Sequence, residues 1–243
     1  MATARPDVVV TFDLFSALLD SRSGAGSVLD RLAVERGWKV GGHEVYDAWD
    51  RRHKGAQRAC TEWVPYAVLA RTALEETYDD LRLDGDAEGD LGLVLDSLPR
   101  WPLWPDVAPV LPGLAQRYRL GLLSNVDDSL FRCTAASSFI GPGLAMTSER
   151  LRAYKPSPVI YRRAQAELGR MVHVASSARD VRGSLEAGIP VVRLQRPGHQ
   201  LDPAGPRPRS EVGGLVELEA AIRQVLHEGG RPGDLGQPTP SRR

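Results

Sequence analysis

Short apolar runs alternate with longer amphipathic stretches along most of the chain. The first run, at residues 8–12, is rich in β-branched side chains and is followed at once by Asp13, and four similar runs lie at 119–123, 144–147, 172–175 and 190–194. Helical periodicity marks 107–118, 158–168, 180–187 and 215–226. This alternation predicts an α/β fold, a doubly wound, Rossmann-like parallel sheet with helices on both faces.

A long segment without strand character separates the first two predicted strands. It contains helix-like runs at 28–38, 43–60, 64–80 and 91–98. We therefore predict an inserted helical cap at 19–103, placed where it could close over the residues that follow the first strand. The α/β core would then comprise 1–18 and 104–228. The Gly- and Pro-rich stretch 196–209 predicts a loop, and the similar tail 229–243 is predicted to be disordered.

The overall charge and the cysteines exclude several classes of function. Lys and Arg number 31 and Asp and Glu also number 31, so no basic or acidic surplus indicates a nucleic-acid partner or a membrane surface. Cys60 and Cys133 lie far apart and form no metal-binding pair. No apolar run approaches the roughly 20 residues of a membrane span, and the first residues carry no apolar signal segment. We expect a soluble, cytoplasmic protein.

Polar residues follow each of the first four predicted strands. Asp13 follows the first, Ser124 and Asn125 the second, Lys155 the third, and the run from Ser177 to Asp180 the fourth. Each has an ordinary explanation: a turn or helix cap for Ser-Asn and for Asp180, and a solvated loop for Lys155. Because the carboxyl ends of parallel strands meet at one edge, where such sheets bind ligands, the set together predicts an active site.

This ordered set resembles the haloacid dehalogenase-like hydrolase superfamily, and within it the 2-haloacid dehalogenases. The resemblance extends from about residue 8 to about residue 226. The residues that carry it are Phe12-Asp13-Leu14-Phe15 with Leu18, Leu123-Ser124-Asn125, Tyr154-Lys155-Pro156 with Tyr161, and Asp180 with Gly183 and Gly188.

The resemblance implies a covalent mechanism on a small anionic organic substrate, with no cofactor and no metal. Asp13 would be the nucleophile that forms an aspartyl ester, and water would hydrolyse that ester. Lys155 would keep Asp13 ionised, and Asp180 would position Lys155 or the water. A homodimer formed through the cap helices is compatible with this family.

The resemblance also implies a set of substrate-binding residues. Ser124 and Asn125 would hold the substrate carboxylate or the leaving halide, Tyr161 would brace Lys155 or the substrate, and the cap would supply an apolar pocket and a cation. We assign that cation to Arg51, although Arg52 and Arg58 are alternatives. The substrate-binding candidates are Phe15, Ser124, Asn125, Tyr161, Ser177 and Arg51.

Two positions separate this chain from the phosphatases of the same superfamily. Phosphatases carry a second acid two residues after the nucleophile, where this chain has Phe15, and another acid where this chain has Ser176. The first acid protonates an alkoxide leaving group, which a halide does not need, and the second serves Mg²⁺. Both absences favour a metal-independent dehalogenase.

Four other positions depart from the dehalogenase pattern. Ser16-Ala17 replaces the usual Gly-Thr, Ser177 replaces an Asn, and Arg179 replaces a Trp near the pocket. A phosphatase with substituted acids and a catalytically silent scaffold therefore remain as alternatives.

Outside the motifs, His173 is predicted to be structural, Asp127-Asp128 to begin a helix, and the basic cluster 51–54 to form a solvated helix face.

Overall fold

The computed structural model describes residues 7–228, and the predicted tail at 229–243 lies outside them. Six strands form one sheet in the order β3-β2-β1-β4-β5-β6, and every neighbouring pair is parallel. The strands are β1 Val9–Phe12, β2 Arg119–Ser124, β3 Ala145–Thr147, β4 Met171–Ala175, β5 Val191–Leu194 and β6 Ser210–Val212. The predicted doubly wound parallel sheet is confirmed.

Strand β6 is the one strand of the described sheet that the sequence did not predict. It has three residues and pairs only with β5, with Val192 opposite Ser210. A three-residue edge strand with two polar residues carries no apolar run for a sequence pattern to reveal.

The strands bury both of their faces, as parallel strands do. In β1, Val10 and Phe12 belong to the larger apolar cluster, whereas Val9 belongs to a second cluster on the opposite face. Ile222 of the C-terminal helix packs in the first cluster and Ile160 in the second. Helices therefore cover the sheet on both sides.

Helices alone fill the segment between β1 and β2. A π-helical turn, Leu14–Leu18, leads into α1 Ser21–Arg36, α2 Gly42–Ala59, α3 Tyr66–Leu81 and α4 Ala87–Asp96, and a 3-10 turn, Leu98–Arg100, follows. A single antiparallel bridge between Leu19 and Leu103 joins the two chain segments that lead into and out of this helical region. The boundaries of the cap at 19 and 103 stay a prediction.

Helix α1 begins seven residues earlier than its apolar pattern predicts. Its N-cap is Asp20, whose carboxylate accepts hydrogen bonds from the backbone N–H and the hydroxyl of Ser23. The first turn is made of Ser, Arg and Gly, which have little apolar periodicity, so the cap and not the pattern marks the start of the helix.

The remaining helices belong to the α/β part of the chain. They are α5 Val107–Ala115, α6 Asp128–Cys133, α7 Ser148–Leu151, α8 Pro158–Leu168, α9 Ala178–Glu186 and α10 Leu218–Glu228. As predicted, a helix begins at Asp127-Asp128. No helix within residues 7–228 is long and apolar enough to cross a membrane.

The strand order places a crevice between β1 and β4. From β1 the chain moves outward through β2 to β3, and it then returns to the other side of β1 to build β4, β5 and β6. Ligands bind at the carboxyl ends of the strands where such a reversal occurs. Asp13 follows β1 and Asp180 lies in the first turn of the helix after β4, so both lie at this crevice.

Candidate active site

The carboxylate of Asp13 accepts hydrogen bonds from four groups. Ser16 donates to Oδ2 through its backbone N–H at 2.9 Å and through its hydroxyl at 2.6 Å. Ser124 Oγ and Lys155 Nζ each donate to Oδ1 at 3.0 Å. Ser16 thus supplies the hydroxyl that Ala17 cannot provide.

These donors decide the charge of Asp13. Burial by itself would raise the pKa of the carboxyl, but the positive charge of Lys155 and the hydrogen bonds from Ser16 and Lys155 outweigh it. The pKa of Asp13 therefore lies below its ordinary value of 3.8, despite the nearby negative charge of Asp180. The side chain is 13% exposed, so the ionised oxygens remain within reach of a small molecule.

Lys155 joins the two aspartates. Its Nζ lies 3.0 Å from Asp13 Oδ1 and 2.6 Å from Asp180 Oδ2, and its side chain is only 2% exposed. The amide of Asn125 fixes the backbone of Lys155, since Oδ1 accepts from Lys155 N at 2.7 Å and Nδ2 donates to Lys155 O at 3.1 Å. The interpretation of Lys155 as a solvated loop charge is therefore wrong. The Lys155-Pro156 peptide bond is cis.

Asp180 is buried among donors. Oδ2 accepts from Lys155 and lies 3.0 Å from His173 Nε2, and Oδ1 accepts from the hydroxyl of Tyr161 at 2.9 Å. Burial would raise the pKa of Asp180, but the charges of Lys155 and His173 and their hydrogen bonds lower it well below its ordinary value. The N-cap of α9 is Ser177, so Asp180 does not cap this helix.

Tyr161, which the resemblance assigns to substrate binding, lies beneath Asp180 and away from the cavity next to Asp13. Its side chain is fully buried and contacts Asp180, and it does not line the cavity next to Asp13. Gly183 makes this position available, because a Cβ there would lie 2.7 Å from the Tyr161 hydroxyl. Tyr161 braces Asp180 rather than Lys155.

His173 is structural in the sense predicted, and it also contacts the site. Its Nδ1 lies 2.9 Å from Thr11 Oγ1 in β1, and its Nε2 faces Asp180. Its ring is completely buried. It therefore fixes Asp180 from the side opposite the cavity.

A cavity of about 780 Å³ lies between the carboxyl ends of the strands and the helices of the insertion. Five of the six substrate-binding candidates line it: Phe15, Ser124, Asn125, Ser177 and Arg51. Phe15 forms part of an aromatic wall, with its ring centroid 5.8 Å from that of Tyr66 and 5.9 Å from that of Trp101. The cavity thus combines an apolar wall with the charged pair Asp13 and Lys155.

The basic cluster of α2 divides between the two sides of the helix. Arg51 is exposed at the cavity lining, whereas Arg52 pairs with Asp80 and does not line the cavity. Arg58 is exposed and also lies outside the lining. His53, by contrast, is buried against Trp49 and Tyr66, so the prediction of a solvated face is wrong at this residue.

Burial lowers the pKa of His53 to about 3. Its Nε2 lies 3.1 Å from Gln57 Nε2. The amide orientation of Gln57 is fixed because its Oε1 accepts from both Asn125 Nδ2 and Arg179 Nη2, each at 2.9 Å. Gln57 Nε2 therefore donates to His53 Nε2, which leaves the proton of the neutral imidazole on Nδ1.

Arg179 is the most consequential residue that sequence reasoning did not assign to the site. It extends from α9 to α2, where it donates to Gln57 Oε1 and, at 3.3 Å, to Lys54 O. Its only sequence signal was the departure from the aromatic residue of the dehalogenase pattern. His199 was missed as well, because it reaches the cavity from the predicted loop after β5.

The donor set does not fit the magnesium site of a phosphatase. Asp13 and Asp180 both bond to the ammonium of Lys155, and the positions that would supply further acids hold Phe15 and the buried Ser176. Within residues 7–228, no three His, Cys, Asp or Glu side chains come together in a way that could hold a metal ion. Hard divalent cations need several oxygen ligands of this kind.

Comparison with known proteins identifies relatives whose sequences match this chain over nearly their whole length. No protein-family model matches the chain. The chain is 27% identical over 219 residues to the (S)-2-haloacid dehalogenase 4A of Burkholderia cepacia, covering 85% of this chain and 91% of the relative. It is 24% identical over 222 residues to the (S)-2-haloacid dehalogenase of Pseudomonas sp. (strain YL), covering 86% and 93%.

A solved structure decides the fold. The L-2-haloacid dehalogenase from Xanthobacter autotrophicus matches with a TM-score of 0.76 and 20% identity, covering 88% of this chain and 98% of that one. The chain has the haloacid dehalogenase fold. The predicted resemblance to haloacid dehalogenase-like hydrolases is confirmed. The Xanthobacter enzyme has also been solved with chloropropionic acid covalently bound.

Proposed function

We propose that this protein is a hydrolase that replaces the halogen at C2 of a small 2-haloacid by a hydroxyl group, through an aspartyl ester on Asp13. One observation carries the proposal. The Asp13 carboxylate is ionised, partly accessible and fixed by Lys155, Ser124 and Ser16 at the switch-point crevice, with an apolar Phe15 where a second acid would stand.

The first step is a displacement at carbon. An Asp13 oxygen attacks C2 of the substrate, a C–O bond forms, and the C–X bond breaks as the halide departs with its electron pair. Because four hydrogen bonds orient the carboxylate beforehand, the attack needs little reorganisation of the site. Phe15 suits this step, since a halide leaves without a proton and needs no general acid.

The second step is hydrolysis of the ester. Water attacks the carboxyl carbon of Asp13, and the bond between that carbon and the substrate oxygen breaks. One proton of the water goes to the departing alkoxide, and the other is released together with the halide, so the net products are a 2-hydroxy acid and HX. Lys155 stabilises the Asp13 carboxylate as it reappears.

The configuration at C2 follows from these steps. Displacement by Asp13 inverts C2, and attack of water on the Asp13 carbonyl leaves C2 untouched. An (S)-2-haloacid, the class named for the two relatives, therefore yields the (R)-2-hydroxy acid. The covalently bound chloropropionic acid of the Xanthobacter enzyme supports a covalent intermediate in this chain.

Halide release from short 2-haloacids, measured with EDTA present, tests the activity. Wild type is expected to release halide, and Asp13→Asn is expected to release none, because the amide is nearly isosteric but a poor nucleophile. Hydrolysis of phosphate esters that needs added Mg²⁺ would point to the phosphatase alternative. Silence on haloacids and on phosphate esters would point to a scaffold without catalysis.

Repeated turnover in water enriched in oxygen-18 tests the intermediate. Because water attacks the Asp13 carboxyl carbon, the label should appear in the peptide that contains Asp13, as mass spectrometry would show. Label that enters only the hydroxyl of the product would instead mean that water attacks C2 directly, and it would exclude the aspartyl ester.

A further inference from the structure

Arg179 holds a guanidinium inside the cavity with most of its donors unused. Nη1 donates to Lys54 O and Nη2 to Gln57 Oε1, and both acceptors are uncharged. An arginine has five N–H donors, so three of them have no acceptor in residues 7–228. No carboxylate of the described chain forms an ion pair with Arg179, although the side chain is partly buried.

A partly buried cation without a carboxylate is costly unless an anion arrives to pair with it. Burial lowers the pKa of Arg179, yet an arginine stays charged near neutral pH. The guanidinium fork matches the two oxygens of a carboxylate in a bidentate arrangement. The guanidinium of Arg179 can therefore bind an anion in this bidentate way, and no acidic side chain of residues 7–228 does so.

The other cations of the cavity are already engaged or remain in solvent. Arg22 forms an ion pair with Asp47, Lys54 with Asp50, and Lys155 with Asp13 and Asp180. Arg51 is exposed. Among the cations that the structure describes in the lining, Arg179 alone is withdrawn from solvent without a carboxylate in contact, although Asp50, Asp13 and Asp180 act on it electrostatically from farther away.

The proposed reaction needs such a cation. Asp13 is negative, and a 2-haloacid brings a second negative charge close to it, so the approach is opposed by repulsion between like charges. Lys155 cannot offset that repulsion alone, because its charge is shared by two carboxylates. Arg179 lines the same cavity as Asp13 and adds a positive charge there.

We propose that Arg179 binds the carboxylate of the substrate and thereby selects 2-haloacids over neutral organohalides of the same shape. The inference rests on the proposed function. It assigns the anion to a cation on the core helix α9, in place of the predicted Arg51 on α2. Because Arg179 also bonds to Gln57 and Lys54 O, the bound anion would lie where the insertion meets the core.

A pair of substrates separates charge recognition from a structural role. We would compare 2-chloropropionate with its neutral analogue 2-chloropropionamide, using wild type, Arg179→Met and Arg182→Met. The control Arg182 lies on the same helix but is exposed, pairs with Glu186 and Asp202 and does not line the cavity. Arg179→Met should lower kcat/KM for the acid by about 100-fold and change that for the amide by less than about threefold.

Equal losses on the acid and the amide would overturn the inference, because they would mean that Arg179 only holds the insertion in place. Arg179→Lys keeps the charge but loses the planar fork of the guanidinium. Compared with Arg179→Met, it should recover part of the kcat/KM for the acid and leave the kcat/KM for the amide unchanged. An Arg182→Met variant as defective on the acid as Arg179→Met would also count against it.

Binding of propionate, which has no halogen, keeps this test independent of turnover. In isothermal titration calorimetry, wild type and Arg182→Met should bind propionate, and Arg179→Met should bind it at least about tenfold more weakly. Equal affinity in all three proteins would overturn the inference even if halide release were established. A wild type that binds propionate through Arg179 but releases no halide would instead sink only the proposed reaction.

Discussion

The hydroxyl of Tyr161 donates a hydrogen bond to Asp180 Oδ1 at 2.9 Å, while the other oxygen of Asp180 accepts from Lys155 at 2.6 Å. Lys155 in turn bonds to Asp13. The geometry thus links a tyrosine of α8 to the candidate nucleophile through two buried charges. Tyr161 can act on the reaction only through Asp180 and Lys155, since it does not line the cavity.

Tyr161→Phe should lower kcat and leave KM unchanged. The variant removes one hydrogen bond to a charged acceptor, and Lys155 and Asp13 would then be held less firmly, so we expect a loss of about tenfold. Steady-state halide release measures both constants. Tyr154→Phe is the matched control, because its hydroxyl bonds to Val64 O outside the cavity lining. A raised KM with an unchanged kcat would place Tyr161 against the substrate after all.

Lys155→Met should abolish turnover and destabilise the protein. It leaves Asp13 and Asp180 in the site without the cation between them, and breaking a buried ion pair from one side costs about 3–5 kcal/mol. Urea denaturation measures the free energy of unfolding. Adding Asp13→Asn should recover part of that loss, because one uncompensated charge is removed. A double variant less stable than the single one would contradict this account.

The rate of halide release should stay constant as the pH falls toward the ordinary pKa of an aspartate. Asp13 must be ionised to attack, and its pKa in the folded protein lies below 3.8. The acid limb of kcat/KM, which reports on the free enzyme, should therefore appear only below about pH 3.8, or be replaced by acid unfolding. Ser16→Ala removes one donor to Asp13 and should move that limb to higher pH. A limb that is already present at neutral pH would mean that another group controls the reaction.

His53 should make the protein less stable in mild acid. Its pKa is about 6.5 in the unfolded chain and about 3 in the folded protein, so between these values the unfolded state binds the extra proton. The contribution of neutral His53 to the free energy of unfolding is therefore fully present above pH 6.5 and is lost as the pH falls toward 3. Between pH 7 and 5, we expect the free energy of unfolding to fall by about 2 kcal/mol from this residue.

His53→Asn removes the titration and should flatten that dependence. Urea denaturation at pH 7 and at pH 5 supplies the comparison for both proteins. An equally steep loss in the variant would show that other groups cause the acid sensitivity.

Gln57→Glu should impair binding of 2-haloacids by supplying Arg179 with a carboxylate from within the protein. Gln57 Oε1 already accepts from Arg179 at 2.9 Å, so the new charge would form an ion pair in place. We expect KM to rise by about tenfold or more, since the substrate must then compete for the guanidinium. Steady-state halide release from 2-chloropropionate gives that constant. In the Arg179→Met background, the same substitution should have little further effect, and equal effects in both backgrounds would deny the coupling.

Much of the fold and of the site is predictable from the sequence, because local patterns encode it. The run before Asp13 is apolar over its whole length, as a strand buried on both faces requires, and Asp13, Lys155 and Asp180 all follow strands of one parallel sheet. Strand edges that meet in space bring such residues together whatever the loops between them do. The role of Phe15 could also be predicted from the sequence, because an apolar side chain at that position cannot serve as the general acid of a phosphatase.

The tertiary structure alone decided the contacts that depend on how one helix lies over another. Arg179 meets Gln57 although 122 residues separate them, and nothing in the periodicity of α2 indicates which residues face α9. Tyr161 was placed beside the substrate by resemblance, whereas the absence of a side chain at Gly183 lets it pack beneath Asp180. Which groups are at the carboxyl edge of the sheet can be read from local sequence, since strand direction fixes that edge. Packing decided which of them face the cavity, because side-chain direction depends on neighbours that are distant in the chain.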